Sequence, residues 1–93
     1  MYKITVQSYS KDKPDLFLAK NIKTSRSHSG LSLIIYPVEL DKEIFLFTDY
    51  KGQYNPYKDS MVFNDVSCTD EFKEFMGYES NALSKVEIEY IRQ

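Results

Sequence analysis

Apolar and polar residues alternate at both ends of this chain. Tyr2, Ile4 and Val6 are separated by Lys3 and Thr5, and Val86, Ile88 and Tyr90 are separated by Glu87 and Glu89. A period of two puts each set on one face of an extended strand, so both ends predict half-buried β-strands. The economical closure sets the last strand beside the first. At 10–15, Pro14 and the charges of Lys11, Asp12, Lys13 and Asp15 break the pattern and predict a turn. Residues 16–20 then return as a second strand in a hairpin with the first. The most apolar run, 31–38, predicts a central strand with Pro37 at its end, because proline has no N–H for the ladder. Across 43–48, Ile44, Leu46 and Thr48 alternate with Phe45 and Phe47, leaving both faces apolar; such a strand is expected to be covered on both sides. A short strand is expected at 61–64.

One segment has helical spacing. Phe72, Phe75 and Met76 fall at i, i+3, i+4, preceded by Thr69 as an N-cap and by Asp70 and Glu71 at the positive end of the helix dipole, and followed by Gly77 as a C-cap. Two turns are too few to stand alone, so packing on the sheet must hold them. The polar stretches 23–30 and 49–60 read as loops, the first small, basic and mobile, the second with turn chemistry at Lys51-Gly52 and Asn55-Pro56. The expected fold is α+β: a small antiparallel sheet of five or six strands with one short helix, about 69–76, packed on one face. A small open β-barrel with a helix plug is the alternative.

Ninety-three residues predict a single globular domain, 1–93, with one core. One cysteine, Cys68, leaves no internal disulfide framework, which favours a reducing cytoplasm. Neither a signal peptide nor a membrane-length apolar run is expected. The net charge of −2 decides little, but residues 1–36 carry six Lys/Arg against two Asp/Glu, and residues 37–93 carry six against twelve.

Chemistry-bearing groups are sparse. With one His and one Cys, no four-ligand zinc site can be assembled. Asp65, Asp70, Glu71 and Glu74 give a weak carboxylate route to magnesium, but they lack the ligand order of a calcium loop and suit a helix start better. A Cys68–His28 pair would need a rigid support that a serine-rich loop does not give. Gly30, Gly52 and Gly77 are too far apart for a phosphate-binding loop. No catalytic residue, metal or cofactor is therefore assigned, and the chain is expected to be a non-enzyme.

Attention moves to the surface. Eight Tyr and six Phe exceed what so small a core needs. Tyr50, Lys51, Tyr54, Tyr57 and Lys58, spaced by Gly52 and Asn55, have the composition of an adaptable protein-contact loop, or else fold back to cap the core. Lys20, Lys23 and Arg26, with His28, form a candidate nucleic-acid contact, although a pI near 5.3 is low for a dedicated binder. Glu39, Asp41 and Glu43 at i, i+2, i+4 would form a one-sided acidic row if they lay on a strand.

The composition, rich in Lys, Tyr, Phe, Ile and Ser with only two Arg, resembles that of small proteins of AT-rich bacteriophages and other mobile elements. That resemblance implies a protein that binds a host protein or protein complex in the host cytoplasm, such as a defence or gene-expression factor, and inhibits or modulates it. A nucleic-acid accessory protein and a homo-oligomeric assembly subunit are the competing classes. The expected oligomeric state is monomer or homodimer.

Overall fold

The computed structural model describes residues 1–49 and 51–92. Among these, seven strands and one helix follow in the order β1 (Tyr2–Ser8), β2 (Asp15–Ser27), β3 (Gly30–Pro37), β4 (Ile44–Thr48), β5 (Gln53–Asn55), β6 (Ser60–Cys68), α1 (Asp70–Met76) and β7 (Ala82–Tyr90). Every strand pairing is antiparallel among the described residues, and β1 lies between β2 and β7, the economical closure expected from the terminal patterns. Pairing of Leu46, Phe47 and Thr48 with Cys68, Ser67 and Val66 joins β4 to β6. This bridge closes the sheet into a six-stranded barrel, β1-β2-β3-β4-β6-β7, so the barrel alternative fits better than the open sheet.

Closure follows from the side-chain alternation. Ile4, Val6, Phe17, Leu33, Ile35, Ile44, Leu46, Phe63, Val66, Val86 and Ile88 all point inward and are buried. Each contributes roughly 1.5–3 kcal/mol through removal of apolar surface from water. The helix lies across one end of the barrel. Thr69 caps it by accepting the Phe72 N–H at 3.3 Å, and its own hydroxyl donates to the Phe45 carbonyl at 2.9 Å, tying the helix start to β4. Gly77 ends the helix at φ +73°, a left-handed conformation that glycine adopts without steric cost. Phe72 is fully buried, with Phe17 and Tyr78 both 6.3 Å away between ring centroids.

Four local expectations need correction. The stretch 23–30 is not a loop: β2 runs on to Ser27 and pairs with β3, which starts at Gly30, through a two-residue turn at His28-Ser29. Thr24, Ser25 and Ser27 are compatible with a strand once β3 lies alongside, and their small polar side chains hid it. The span 49–60 contains β5, which pairs with the first residues of β6, and the short strand expected at 61–64 extends over Ser60–Cys68. Glu39, Asp41 and Glu43 lie in the β3–β4 connection and not on a strand, so no strand-borne acidic row forms. Phe45 and Phe47 face outward and are 37% and 46% exposed, so β4 is not covered on both sides. Among the described residues, no helix is long and apolar enough to cross a membrane.

Candidate functional site: the open end of the barrel and its aromatic flank

The helix plugs one end of the barrel; the other end is open. Tyr2 and Tyr90 are cross-strand partners at the start of β1 and the end of β7, and their rings meet edge-on at 5.3 Å. With Ile22, Met61, Phe63 and Ile88 they line an apolar mouth of about 390 Å³. Tyr54 stands at its rim, opposite Met61 in the β5–β6 ladder, with its hydroxyl donating to Asp59 Oδ1 at 2.6 Å. That hydrogen bond, helped by partial desolvation, raises the Tyr54 phenol above its ordinary range. Gly52 makes this approach feasible: a Cβ there would lie 2.5 Å from the Phe63 ring and 2.9 Å from Met61 Cε.

The rest of the tyrosine segment forms the β5–β6 hairpin tip. Asn55 Oδ1 accepts the Tyr57 N–H at 3.0 Å, and Tyr57 projects from the turn, 97% exposed. Lys58 instead lies against the barrel wall, its Nζ 3.6 Å from Glu87. Glu87 is buried and accepts the Ser60 hydroxyl at 2.8 Å. That bond, with Lys58 and Lys85 nearby, holds the Glu87 carboxyl below the usual carboxylate range against its burial. Tyr50 lies outside the described residues.

The basic segment arrives at the same end. Arg26 and His28 line a shallow depression of about 310 Å³ with Asp49 and Lys51, which joins the β2–β3 hairpin tip to the start of the tyrosine segment. Lys20 sits over the Tyr36 ring, 5.0 Å from its centroid, and Lys23 is exposed on the outer face. No Asp or Glu occurs anywhere in 16–38, so the whole β2–β3 hairpin beyond Asp15 is basic.

The outer wall of the barrel is divided. On β6, β7 and β1 the outward residues include Asn64, Lys85, Glu87, Glu89, Lys3, Thr5 and Gln7, and ion pairs such as Lys3–Glu89 at 3.7 Å cross between strands. On β2, β3 and β4 the outward residues include Leu18, Ile34, Tyr36, Phe45 and Phe47, together with Lys20, Lys23, Ser25 and Ser32. The registers Lys23–Ile34–Phe45 and Ser25–Ser32–Phe47 set Phe45 beside Ile34 and Phe47 beside Ser32. Leu16, Leu18 and Val38 extend the patch and are exposed.

This flank and the mouth are what sequence reasoning missed. The signal for the mouth was present: a β1–β7 pairing necessarily sets Tyr2 near Tyr90. The signal for the flank was the doubly apolar β4, whose outer side is only partly covered among the described residues.

Asp15, Tyr78 and Cys68 are also shifted by their surroundings. Asp15 accepts from Lys11 Nζ at 2.8 Å and from the Tyr78 hydroxyl, which lowers its carboxyl pKa. Burial and that same bond push the Tyr78 phenol up. Cys68 is half-buried; burial, opposed by Lys73, pushes its thiol up to about 11, so the nucleophilic thiolate is scarce near neutral pH. Of the acids on the weak magnesium route, Asp65 accepts from Tyr9, Asp70 pairs with Lys73 at 3.4 Å and Glu71 with Lys42 at 3.0 Å. Among the described residues, no three His, Cys, Asp or Glu side chains converge as a metal site requires.

No family model, curated protein or solved structure matches the chain.

Proposed function

We propose that this chain is a non-enzymatic binding module that docks on another protein through the outer face of β2, β3 and β4. One observation carries the reading: Leu18 and Val38 at one end, and Phe45 and Phe47 at the other, are exposed on the β2–β3–β4 face of the barrel, whereas the β6–β7–β1 face is polar and ion-paired. Contiguous apolar surface of this kind costs solubility unless a partner covers it. Interface cores favour aromatic residues, and charged residues belong at their rims. Here the outward cations beside these residues are Lys20 and Lys23, so the partner surface in this reading is apolar with acidic neighbours. The phage-like composition supports a host protein or complex as the target, inhibited or redirected by occupancy. Tyr57, Tyr54 and Lys51 at the hairpin end extend the contact in this reading.

A second reading has its own support. Tyr36, Phe45 and Phe47 interleave with Lys20 and Lys23 on one sheet face, which is the arrangement of a stacking platform for single-stranded nucleic acid. The aliphatic neighbours Leu16, Leu18 and Val38 offer no stacking surface, so protein is favoured.

The test is affinity capture from nuclease-treated extract with the wild-type chain and with Leu18→Asp and Phe47→Asp variants. A specific protein retained by the wild type and lost from both variants supports the reading. Capture unchanged in both variants, or lost on nuclease treatment alone, refutes it.

A further inference from the structure

The mouth of the barrel gathers aromatic rings around one carboxylate. Neighbouring strands bring them there: β1 contributes Tyr2, β7 Tyr90, β6 Met61 and Phe63, and β5 Tyr54. Alternation is the cause. Tyr2 and Tyr90 continue the inward sets of Ile4 and Ile88, and Tyr54 is the cross-strand partner of Met61. The Tyr2 and Tyr90 rings meet at 64°, so they form two walls of a corner and not a stack. Tyr54 and Tyr90 are exposed, while Phe63, deeper on β6, is buried.

Among the described residues lining the mouth, Asp59 is the one charged side chain. The β5–β6 turn holds it at φ +52°, and the Tyr54 hydroxyl donates to its Oδ1 at 2.6 Å. An ionised carboxylate accepts through both oxygens, so this bond leaves acceptor capacity for a cation. The neighbouring cations in the chain lie elsewhere. Lys58 Nζ is 3.6 Å from Glu87 on the outer wall, and Arg26, the inward position after Thr24 on β2, lines the adjacent depression with Asp49.

These features select one ligand chemistry. An anion meets the carboxylate and the negative faces of the rings. A neutral apolar molecule fills the walls but leaves Asp59 desolvated without a partner. A bare ammonium holds its water tightly, and the walls offer little in exchange. Apolar substituents on the nitrogen displace that water, and the rings attract the remaining charge.

We propose that the mouth binds a small organic cation whose ammonium nitrogen carries methyl or similar apolar substituents, held over the rings of Tyr2, Tyr54 and Tyr90 and beside Asp59. Its volume of about 390 Å³ falls in the range of roughly 300–1,000 Å³ found for pockets that enclose whole small molecules, so the occupant is a free molecule. This site is separate from the β2–β3–β4 flank, because these rings point inward and Phe45 and Phe47 point outward.

The test is a titration of the full-length, ¹⁵N-labelled chain with choline and with the uncharged dimethylbutanol in which carbon replaces the ammonium nitrogen. Choline shifts the amides of Tyr54, Met61 and Tyr90 and binds at least about tenfold more tightly than the alcohol, the scale of a desolvated cation over aromatic rings. Asp59→Asn keeps the side-chain size, and asparagine tolerates the left-handed turn, so the fold is retained and choline binding weakens at least about fivefold. Tyr90→Leu keeps the mouth apolar, removes one ring and weakens it likewise. Phe47→Thr, on the flank, leaves choline binding unchanged.

Phosphatidylcholine vesicles and a peptide bearing trimethyllysine are two further arms, since each presents the same head group on a larger body. Four outcomes overturn the proposal: no shift of these amides at high millimolar choline, equal binding of the alcohol, affinity unchanged in both mouth variants, or tighter binding of the vesicles or the peptide than of choline. Loss of protein capture in Phe47→Asp with choline binding absent would leave the binding-module reading standing and this site refuted.

Discussion

Substituting neighbouring residues on β4 separates the uncovered flank from the core. Leu46 points into the barrel and is fully buried, while Phe47, the next residue, points out and is 46% exposed. A covered phenylalanine buries roughly 200 Å², so about half of that at ~25 cal/mol per Å² puts an upper bound near 2.5 kcal/mol on what Phe47 contributes within this chain. Threonine keeps part of the contact and the strand preference, so Phe47→Thr should cost about 1–1.5 kcal/mol. Leu46→Ala leaves a cavity among Leu33, Ile44 and Val66 and should cost about 3–5 kcal/mol. A chain of this size has roughly 5–14 kcal/mol in total, so the core variant loses a large share of its stability while the flank variant remains folded. Urea denaturation with a common m-value reads both changes. Binding of an apolar dye to the native state should fall in Phe47→Thr, since the variant removes exposed aromatic surface. Equal destabilisation by the two variants, or dye binding unchanged by Phe47→Thr, would refute the division of β4 into a core face and an uncovered face.

Three further outcomes follow from the geometry. Gly52→Ala places a methyl group 2.5 Å from the Phe63 ring and should destabilise by about 1–3 kcal/mol, with perturbed resonances of Met61 and Tyr54 at the mouth. Asp15 and Glu87 are both held below their ordinary carboxyl pKa values. Their contribution is fully present above about pH 5 and is lost as pH falls through the folded-state values, so a thermal melt series should show an acid-side decline that Glu87→Gln makes shallower. Cys68, with its thiol pushed up to about 11, should react with iodoacetamide at pH 8 roughly tenfold or more slowly in the native chain than in urea, and equal rates would contradict the burial that raises it.

Legibility in the sequence tracked how local each signal is. The helix was readable because its cap, its dipole acids and its left-handed glycine all lie within a few residues of Phe72. The terminal strands were readable because Tyr2 to Val6 and Val86 to Tyr90 alternate without interruption. The barrel was legible only as the alternative to an open sheet, since its closure depends on Leu46 meeting Cys68, a contact between distant residues with no local mark. The second half of β2 was hidden for a related reason: Lys23, Thr24, Ser25 and Arg26 form a strand because β3 offers a ladder, and their own composition resembles a loop. For the candidate site, the tyrosine and basic segments were each visible, but their meeting at one end of the barrel is a property of the closed fold. Phe45 and Phe47 are visible as a surplus of apolar side chains, and the described residues cover them only in part.

The central claim is that the β2–β3–β4 flank is the face a partner occupies. Its most direct test is site-specific photocrosslinking in the cells the chain comes from, with a photoreactive phenylalanine at position 47, at position 18 or, on the polar wall, at position 85. Discrete adducts with the same protein from positions 47 and 18, and none from position 85, are expected. Adducts from position 85 alone, or none from any of the three positions, would contradict the assignment.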